Sequence, residues 1–441
     1  MTILIKNGII ITLGEPNKVL YGHSLLIENG LIKKIAPTNS FTGSYDKIID
    51  ASGKIVMPGF INAHMHFYST LVRGYGKAAP SKDFNEVLQN LWWRLDKKLV
   101  LEDCYYSTLI PAMNAIRHGT TTLIDHHASP FAVRGSLTQI AKAVKEVGLR
   151  ASLCYEVSDR DGQKIADEGL EENVDFIKQC NNNNDNQFKA LFGLHASFTI
   201  GEQTLEKAAM LGKELGVGFH VHTAEAASDQ VHCETNHKMR VVERFNKFGI
   251  LGEKSIAAHC VHINEKEMEL LAETKTAVAH NPQSNMNNAV GVADIIKMQN
   301  KGVLVGLGTD AMTVNMMEEV RVALWLQHLY QKNPSVGFVE AISTLLFNNS
   351  KIANRYWNPK IGELKENYAA DVILIDYFPP TPLDESTFLG HFMFGITQSI
   401  VDTTIIDGKI LMENRKLQID IDEERINARA RELAKELWER M

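Results

Sequence analysis

Eight short apolar runs recur between residues 59 and 309, each followed by a longer amphipathic stretch. They are Gly59–His64, Thr120–Asp125, Arg150–Tyr155, Phe188–His195, Gly218–His222, Ser255–His259, Thr276–His280 and Val303–Thr309. Helix-patterned segments such as Asp103–Arg117, Ser136–Val147, Leu170–Gln179, Leu205–Leu215 and Met239–Phe248 lie between them. Short continuous apolar runs suit strands covered on both faces, and the intervening period of 3.6 suits covering helices. Repeated eight times, this alternation predicts an α/β fold: a (β/α)8 barrel over residues 57–359. With 441 residues, 44% of them hydrophobic, the chain has the composition of an ordinary globular protein, which excludes global disorder, collagen and coiled coil.

The flanks read differently. Ile3–Ile5, Ile9–Leu13, Ser24–Glu28 and Leu31–Ile35 are β-prone, with Asn7-Gly8 and Asn29-Gly30 as turn dipeptides. β-Character returns at Ala370–Asp376, Thr403–Ile406 and, past the turn Asp407-Gly408, Lys409–Met412. Residues 1–56 and 360–415 are expected to build one composite β-sandwich through which the chain enters and leaves the barrel. Residues 416–441, rich in Glu, Arg and Ala, predict a terminal amphipathic helix. The polar run at residues 181–186 predicts a solvated loop.

The net charge of −7, from 46 Lys and Arg against 53 Asp and Glu, gives no general attraction to nucleic acid or acidic lipid. Cys104, Cys154, Cys180, Cys233 and Cys260 are widely spaced and form no CxxC pair, so neither a disulfide framework nor a thiolate zinc site is expected. Lys6 and Gly8 interrupt the first apolar run, unlike a signal peptide, and no stretch of 18 apolar residues occurs. These features predict a cytoplasmic protein acting on a small molecule, with neither nucleic acid nor membrane as partner.

The ends of the eight runs carry the chemistry. The first ends in His64-Met65-His66, the fourth at His195, and the fifth in His220-Val221-His222 and then Glu225. The sixth ends at His259, the seventh at His280 and the eighth in Gly308-Thr309-Asp310. In a barrel of this type the reactive residues sit at the carboxyl ends of several strands. Residues two apart in a strand face the same side, so His64 and His66 can converge on one ion. His222 and Asp310 complete a set of three imidazoles and one carboxylate. That set suits one divalent ion, Zn²⁺ before Fe²⁺, with a position open for water. His220 shares the spacing, but His222 is nearer the strand end and stands three before Glu225.

Several segments resemble the amidohydrolase superfamily, and the resemblance covers nearly the whole chain. The run from Val56 to His66 is similar to its PGxxNxHxH strand, and His222-Thr-Ala-Glu225 to its HxxE motif. Ala258-His-Cys260, His280-Asn-Pro-Gln-Ser-Asn285 and Gly308-Thr-Asp310 resemble the endings of strands six, seven and eight. Gly362-Glu-Leu364 and the run from Ala370 to Asp376 resemble its return to the β-domain. Within the superfamily the chain is similar to the branch of chlorohydrolases, guanine deaminases and methylthioadenosine/S-adenosylhomocysteine deaminases. The runs Asn90–Asp96, Asp125–Pro130 and Ser284–Asn288 are similar to the SsnA group of aminohydrolases. Leu191–His195 lacks the lysine that dinuclear members carbamylate, which implies a single ion. Where nucleoside deaminases carry a Trp-Pro-Leu-Glu-like segment, this chain has Trp93-Arg94-Leu95-Asp96, which puts adenosine-type substrates in doubt.

The resemblance implies hydrolytic deamination of an amino-substituted heterocycle, purine-, pterin- or pyrimidine-like. Asp310 would hold the ion and accept a proton from water, Glu225 would protonate the ring nitrogen and then the leaving group, and His259 would stabilise developing charge. His195, Trp93, Arg94 and Asp96 would meet the substrate, Arg94 an anionic or carbonyl-rich part of it. The alternative at the same site is hydrolysis of another C–N bond or of a C–Cl bond. A nucleic-acid deaminase of the H-x-E and P-C-x-x-C type is excluded, because the chain has no PCxxC. The resemblance further implies a homo-oligomer, dimer or higher.

Overall fold

A computed structural model describes residues 1–183 and 186–441. Its centre holds eight parallel strand runs: β1 (Phe60–Met65), β2 (Thr120–Asp125), β3 (Arg150–Leu153), β4 (Phe188–Ala190 continuing as Phe192–Ala196), β5 (Phe219–Thr223), β6 (Ile256–His259), β7 (Ala277–His280) and β8 (Val305–Leu307). They pair in chain order, in two sheets that meet at the break in β4. Phe188–Ala190 pairs with β3, and Phe192–Ala196 pairs with β5. Val157 bridges to Leu194 across the break, and Met65 bridges to Asp310 beyond β8. The amides of Thr309 and Asp310 both donate to the His64 carbonyl, at 2.8 and 3.0 Å, so the end of β8 is bonded to β1.

Every residue of β1, β6 and β7 is buried, which explains why these runs read as continuously apolar rather than alternating. Helices alternate with them: Leu101–Arg117, Ser136–Val147, Gln163–Asn182, Glu202–Leu215, Val241–Lys247 and Met316–Gln331 among others. The chain is thus a mixed α/β protein with parallel sheets. The third of these helices starts seven residues before the apolar pattern does, because its first turns are polar and rest on the left-handed Gly162 (φ 97°). That helix also takes in Asn181 and Asn182 of the predicted polar loop, whose residues 184 and 185 lie outside the described residues.

The two chain ends share a sheet. Val372–Asp376 runs antiparallel to Lys54–Pro58, with Leu374 opposite Val56, inside a seven-stranded sheet that extends from Lys416–Leu417 to Val19–Leu20. A four-stranded sheet, with Thr2–Lys6 between His23–Glu28 and Lys47–Asp50, packs its Ile3, Ile5, Leu25 and Ile27 against Val56, Val372 and Ile405 of the first. Arg150, at the start of β3 and fully buried, clamps this layer to the parallel strands by ion pairs to Asp371 and Asp407. The last helix, Glu423–Arg440, buries Ala430, Leu433 and Leu437. Trp438 Nε1 donates to the Leu71 carbonyl at 2.8 Å and Arg440 to Asp103 at 2.6 Å, so the helix holds the segment that follows β1. Among the described residues no helix is long and apolar enough to cross a membrane.

Candidate metal centre

Residues at or just past the carboxyl ends of β1, β3, β4, β5 and β8 line one cleft of about 780 Å³, open solvent included, and His259 at the end of β6 lies beside them. Three of these ends turn through the left-handed region at non-glycine residues: Ala224 (φ 48°), His259 (φ 71°) and Asp310 (φ 52°). Such geometry persists only where surrounding packing over-determines it, and it clusters at functional sites. Gly308 has a steric reason to be glycine. A Cβ there would stand 2.4 Å from Asn281 Oδ1 and 2.8 Å from both the His64 Cβ and the His64 carbonyl oxygen. The close approach that brings Asp310 beside His64 therefore needs the missing side chain.

The imidazoles are held by one nitrogen and aimed by the other. His64 Nδ1 lies 2.9 Å from His220 Nε2, His66 Nδ1 2.5 Å from the His126 carbonyl, and His222 Nδ1 3.1 Å from the His195 carbonyl. His259 Nδ1 donates to Asn285 Oδ1 at 2.8 Å. All four turn Nε2 inward. His66 and His222 bring Nε2 atoms within 3.2 Å of each other, and His66 Nε2 is 3.0 Å from Asp310 Oδ1. The Nε2 atoms of His64 and His259 are buried without a hydrogen-bond partner. Ligating histidines have this arrangement: the outer nitrogen fixes the ring and the inner lone pair is left for an ion. Ligand atoms of His64, His66 and Asp310, and of His64, His222 and His259, lie within 4.8 Å of one another. The residues present therefore fit a divalent cation.

The electrostatics agree. Burial holds His64 and His222 well below the usual imidazole range, so both rings are neutral and each keeps a nitrogen lone pair. His66 is raised to about 9: burial opposes this, but the hydrogen bond and charge of Asp310 outweigh it, so the carboxylate draws positive charge to this point. Ser284 donates its hydroxyl to Asp310 Oδ2. Burial raises Glu225 to about 7, partly offset by the nearby His259, whose Nε2 is 3.6 Å from Glu225 Oε2. Asn288 Nδ2 donates to Glu225 Oε1 at 3.3 Å.

His195, Trp93 and Asp96 line the same cavity, among aromatic walls formed by Tyr68, Phe84, Trp92 and Phe198. Asp96 is buried; its Oδ2 accepts from Arg160 while Oδ1 has no partner. Arg94 is not brought to the cavity. Its guanidinium donates to the Met441 carbonyl on the far side of the short helix. Trp93 and Asp96, three apart, share a helix face, and the residue between them cannot. Among the described residues lining the cavity there is no lysine or arginine. His280 is buried behind the wall with neither ring nitrogen partnered, and His127 bonds to Ser129 at 2.9 Å.

Glu156 was not expected. It is 5% exposed, lines the cavity, and sets Oε2 3.1 Å from His126 Nδ1 and Oε1 3.5 Å from His195 Nε2. Burial pushes its carboxyl up, but His195 and the hydrogen bond of His126 outweigh that and hold it at about 2. The signal was available: Glu156 stands at the end of the third run, the place where the other runs carry their reactive groups.

Comparison with known proteins fits this geometry. Residues 55–411 match the amidohydrolase family. A 5'-deoxyadenosine deaminase of Methanobrevibacter smithii is 34% identical over 444 residues, covering 99% of this chain and 98% of that protein. A 5-methylthioadenosine/S-adenosylhomocysteine deaminase of Dictyoglomus turgidum is 32% identical over 442 residues, covering 99% of each. In fold, the chain matches an adenosine deaminase of Xanthomonas campestris solved with bound zinc, with TM-score 0.86 at 23% identity, covering 99% of this chain and 98% of that one. The chain belongs to the amidohydrolase family. It is an enzyme, a hydrolase acting on carbon–nitrogen bonds, and its buried His and Asp cluster is a site for a divalent metal ion.

Proposed function

We propose that the protein is a mononuclear aminohydrolase that removes an amino group from a heterocycle as ammonia. The observation that carries this reading is the clustering of four inward Nε2 atoms with Asp310 and the Glu225 carboxyl, of which His66, His222, Asp310 and Glu225 line one aromatic-walled cavity. The names of the relatives, both deaminases, support it. We read the parallel strands, with the end of β8 bonded to β1, as a closed (β/α)8 barrel over residues 57–359, and the two terminal sheets as a β-sandwich of residues 1–56 and 360–415.

His64, His66, His222 and Asp310 would hold the ion, with Zn²⁺ favoured by the three imidazoles and one carboxylate. When bound, such an ion acts as a Lewis acid that makes water nucleophilic near neutral pH. Asp310 Oδ2, kept ionised by His66 and Ser284, accepts a proton from the attacking water. Glu225, lifted by burial to about 7, gives its proton to the ring nitrogen; reprotonated with a proton that the attacking water loses, it then protonates the departing amine, so the two protons of the water end on the ring nitrogen and on ammonia. Asn288 steadies Oε1 of Glu225 meanwhile. His259 Nε2, buried and otherwise unpartnered, is placed to hydrogen-bond the attacking water and orient it. Tyr68, Trp92, Trp93 and Phe198 cover the faces of a flat ring and exclude water from it.

Glu225→Gln tests the reading. It keeps shape and hydrogen bonding but cannot give a proton. Full metal content with ammonia release reduced about 10²–10⁴-fold is expected, the usual contribution of a general acid; full metal with undiminished release removes the acid role.

A further inference from the structure

We propose that Glu156 and His195 read a ring N–H of the substrate, so that the carbon attacked is the amino-bearing carbon of a cyclic guanidine. This inference rests on the deaminase reading and narrows its substrate. Glu156 Oε2 is taken by His126 Nδ1 at 3.1 Å, which leaves Oε1 facing His195 Nε2 at 3.5 Å. His195 Nδ1 lies 2.6 Å from Thr199 Oγ1, and the Thr199 hydroxyl reaches the Ala196 carbonyl at 3.1 Å. With the hydroxyl proton on that carbonyl, Nδ1 carries the His195 proton and Nε2 is a bare lone pair. A carboxylate oxygen and an imidazole lone pair then share one gap on the cavity wall, and a donor from the cavity satisfies both. Two acceptors left facing each other are costly, and a ligand N–H removes that cost.

The metal ligands fix where the donor sits. Ligand atoms of Glu156, His66, His126 and His222 all lie within 4.8 Å of one another, and those of Glu225, His259 and Asp310 form a second such group. A ring whose amino-bearing carbon faces His66, His222 and Asp310 would have the Glu156 acceptor and the proton donor Glu225 among the groups lining the same cavity. In a 6-aminopurine that carbon lies between a ring nitrogen and a ring carbon, and the ring carbon offers Glu156 nothing. In a 2-amino-6-oxopurine or a 2-amino-4-oxopteridine it lies between a ring nitrogen, which Glu225 can protonate, and a ring N–H, which Glu156 can accept. A sugar hydroxyl is also a donor, but it stands several bonds from the attacked carbon, whereas the ring N–H is bonded to it. Water adds to the carbon, the C–NH2 bond breaks, and the oxo-heterocycle and ammonia account for every atom without oxidant or reductant.

The experiment measures ammonia release by the metal-replete wild type from those two compounds, from their forms methylated at the ring N–H, and from adenosine. Binding of the same compounds to wild type and Glu156→Gln is followed by calorimetry, with metal content checked in both. The proposal expects turnover of the two guanidine heterocycles, a fall in kcat/KM of at least about 100-fold on N-methylation, and a preference over adenosine. It expects Glu156→Gln to bind the parent compounds at least about 10-fold more weakly, with the methylated forms unaffected. Equal use of methylated and parent compounds, preference for adenosine, or unchanged affinity in Glu156→Gln overturns it. If no compound releases ammonia the deaminase reading itself fails, and calorimetry still decides: absent binding, or equal affinity in both proteins, overturns the proposal as well.

Discussion

Glu225 and Asp310 share one cavity wall and are biased in opposite directions. Burial lifts Glu225 to about 7, while the hydrogen bond and charge of His66 overcome burial and push Asp310 down. Carboxyls driven apart in this way divide into donor and acceptor. Ser284→Ala removes the hydroxyl that Asp310 Oδ2 accepts, a bond to a charged group worth about 1.5–3 kcal/mol. We expect kcat to fall by about one to two orders of magnitude, in line with that energy, with KM little changed; steady-state kinetics decides it. At this scale the sequence was legible wherever a histidine or acid ended a run next to a recognisable spacing. His64, His66, His222, Glu225, His259 and Asp310 are brought together. Arg94 points away from the cavity because adjacency in sequence is not adjacency on a helix face, and no spacing in the sequence marks a single acid such as Glu156.

The short helix Pro282–Asn287 and the residue after it supply three orienting contacts: Ser284 to Asp310, Asn285 to His259 and Asn288 to Glu225. The motif His280–Asn285 was visible in the sequence; its helical form was not, because six residues are too few for periodicity to register. The strand ends are equally exacting. Gly308→Ala would press a methyl group into Asn281 and His64, so metal occupancy should drop along with thermal stability; metal analysis of the purified variant is the check. At the opposite end of β3, Arg150→Met leaves Asp371 buried without its cation, and loss of a buried ion-pair partner costs about 3–5 kcal/mol. Denaturant unfolding should show that loss, and a change below about 1 kcal/mol would mean the clamp contributes little.

The whole molecule ties its two ends to its centre. Strand Val372–Asp376 pairs with Lys54–Pro58, and the last helix reaches back to Leu71, after β1, and to Asp103. The alternation of runs announced the parallel strands well, since strands buried on both faces are written in uninterrupted apolar residues. The pairing between residues separated by more than three hundred positions left only β-propensity in the sequence, with no mark of partner or register. A bound ion adds to this stability by linkage, about 2.7 kcal/mol at a hundred times its dissociation constant. A chelator should lower the thermal midpoint and Zn²⁺ restore it, and His222→Ala should abolish the response.

The bond proposed to break is the one between the ring carbon and its amino nitrogen. Ammonia and remaining heterocycle, measured together in one reaction of metal-replete enzyme, test it most directly. One ammonia should be released per amino-heterocycle consumed, with release lost in Glu225→Gln that still carries its metal. Consumption of substrate without ammonia, or equal release by Glu225→Gln, would contradict it.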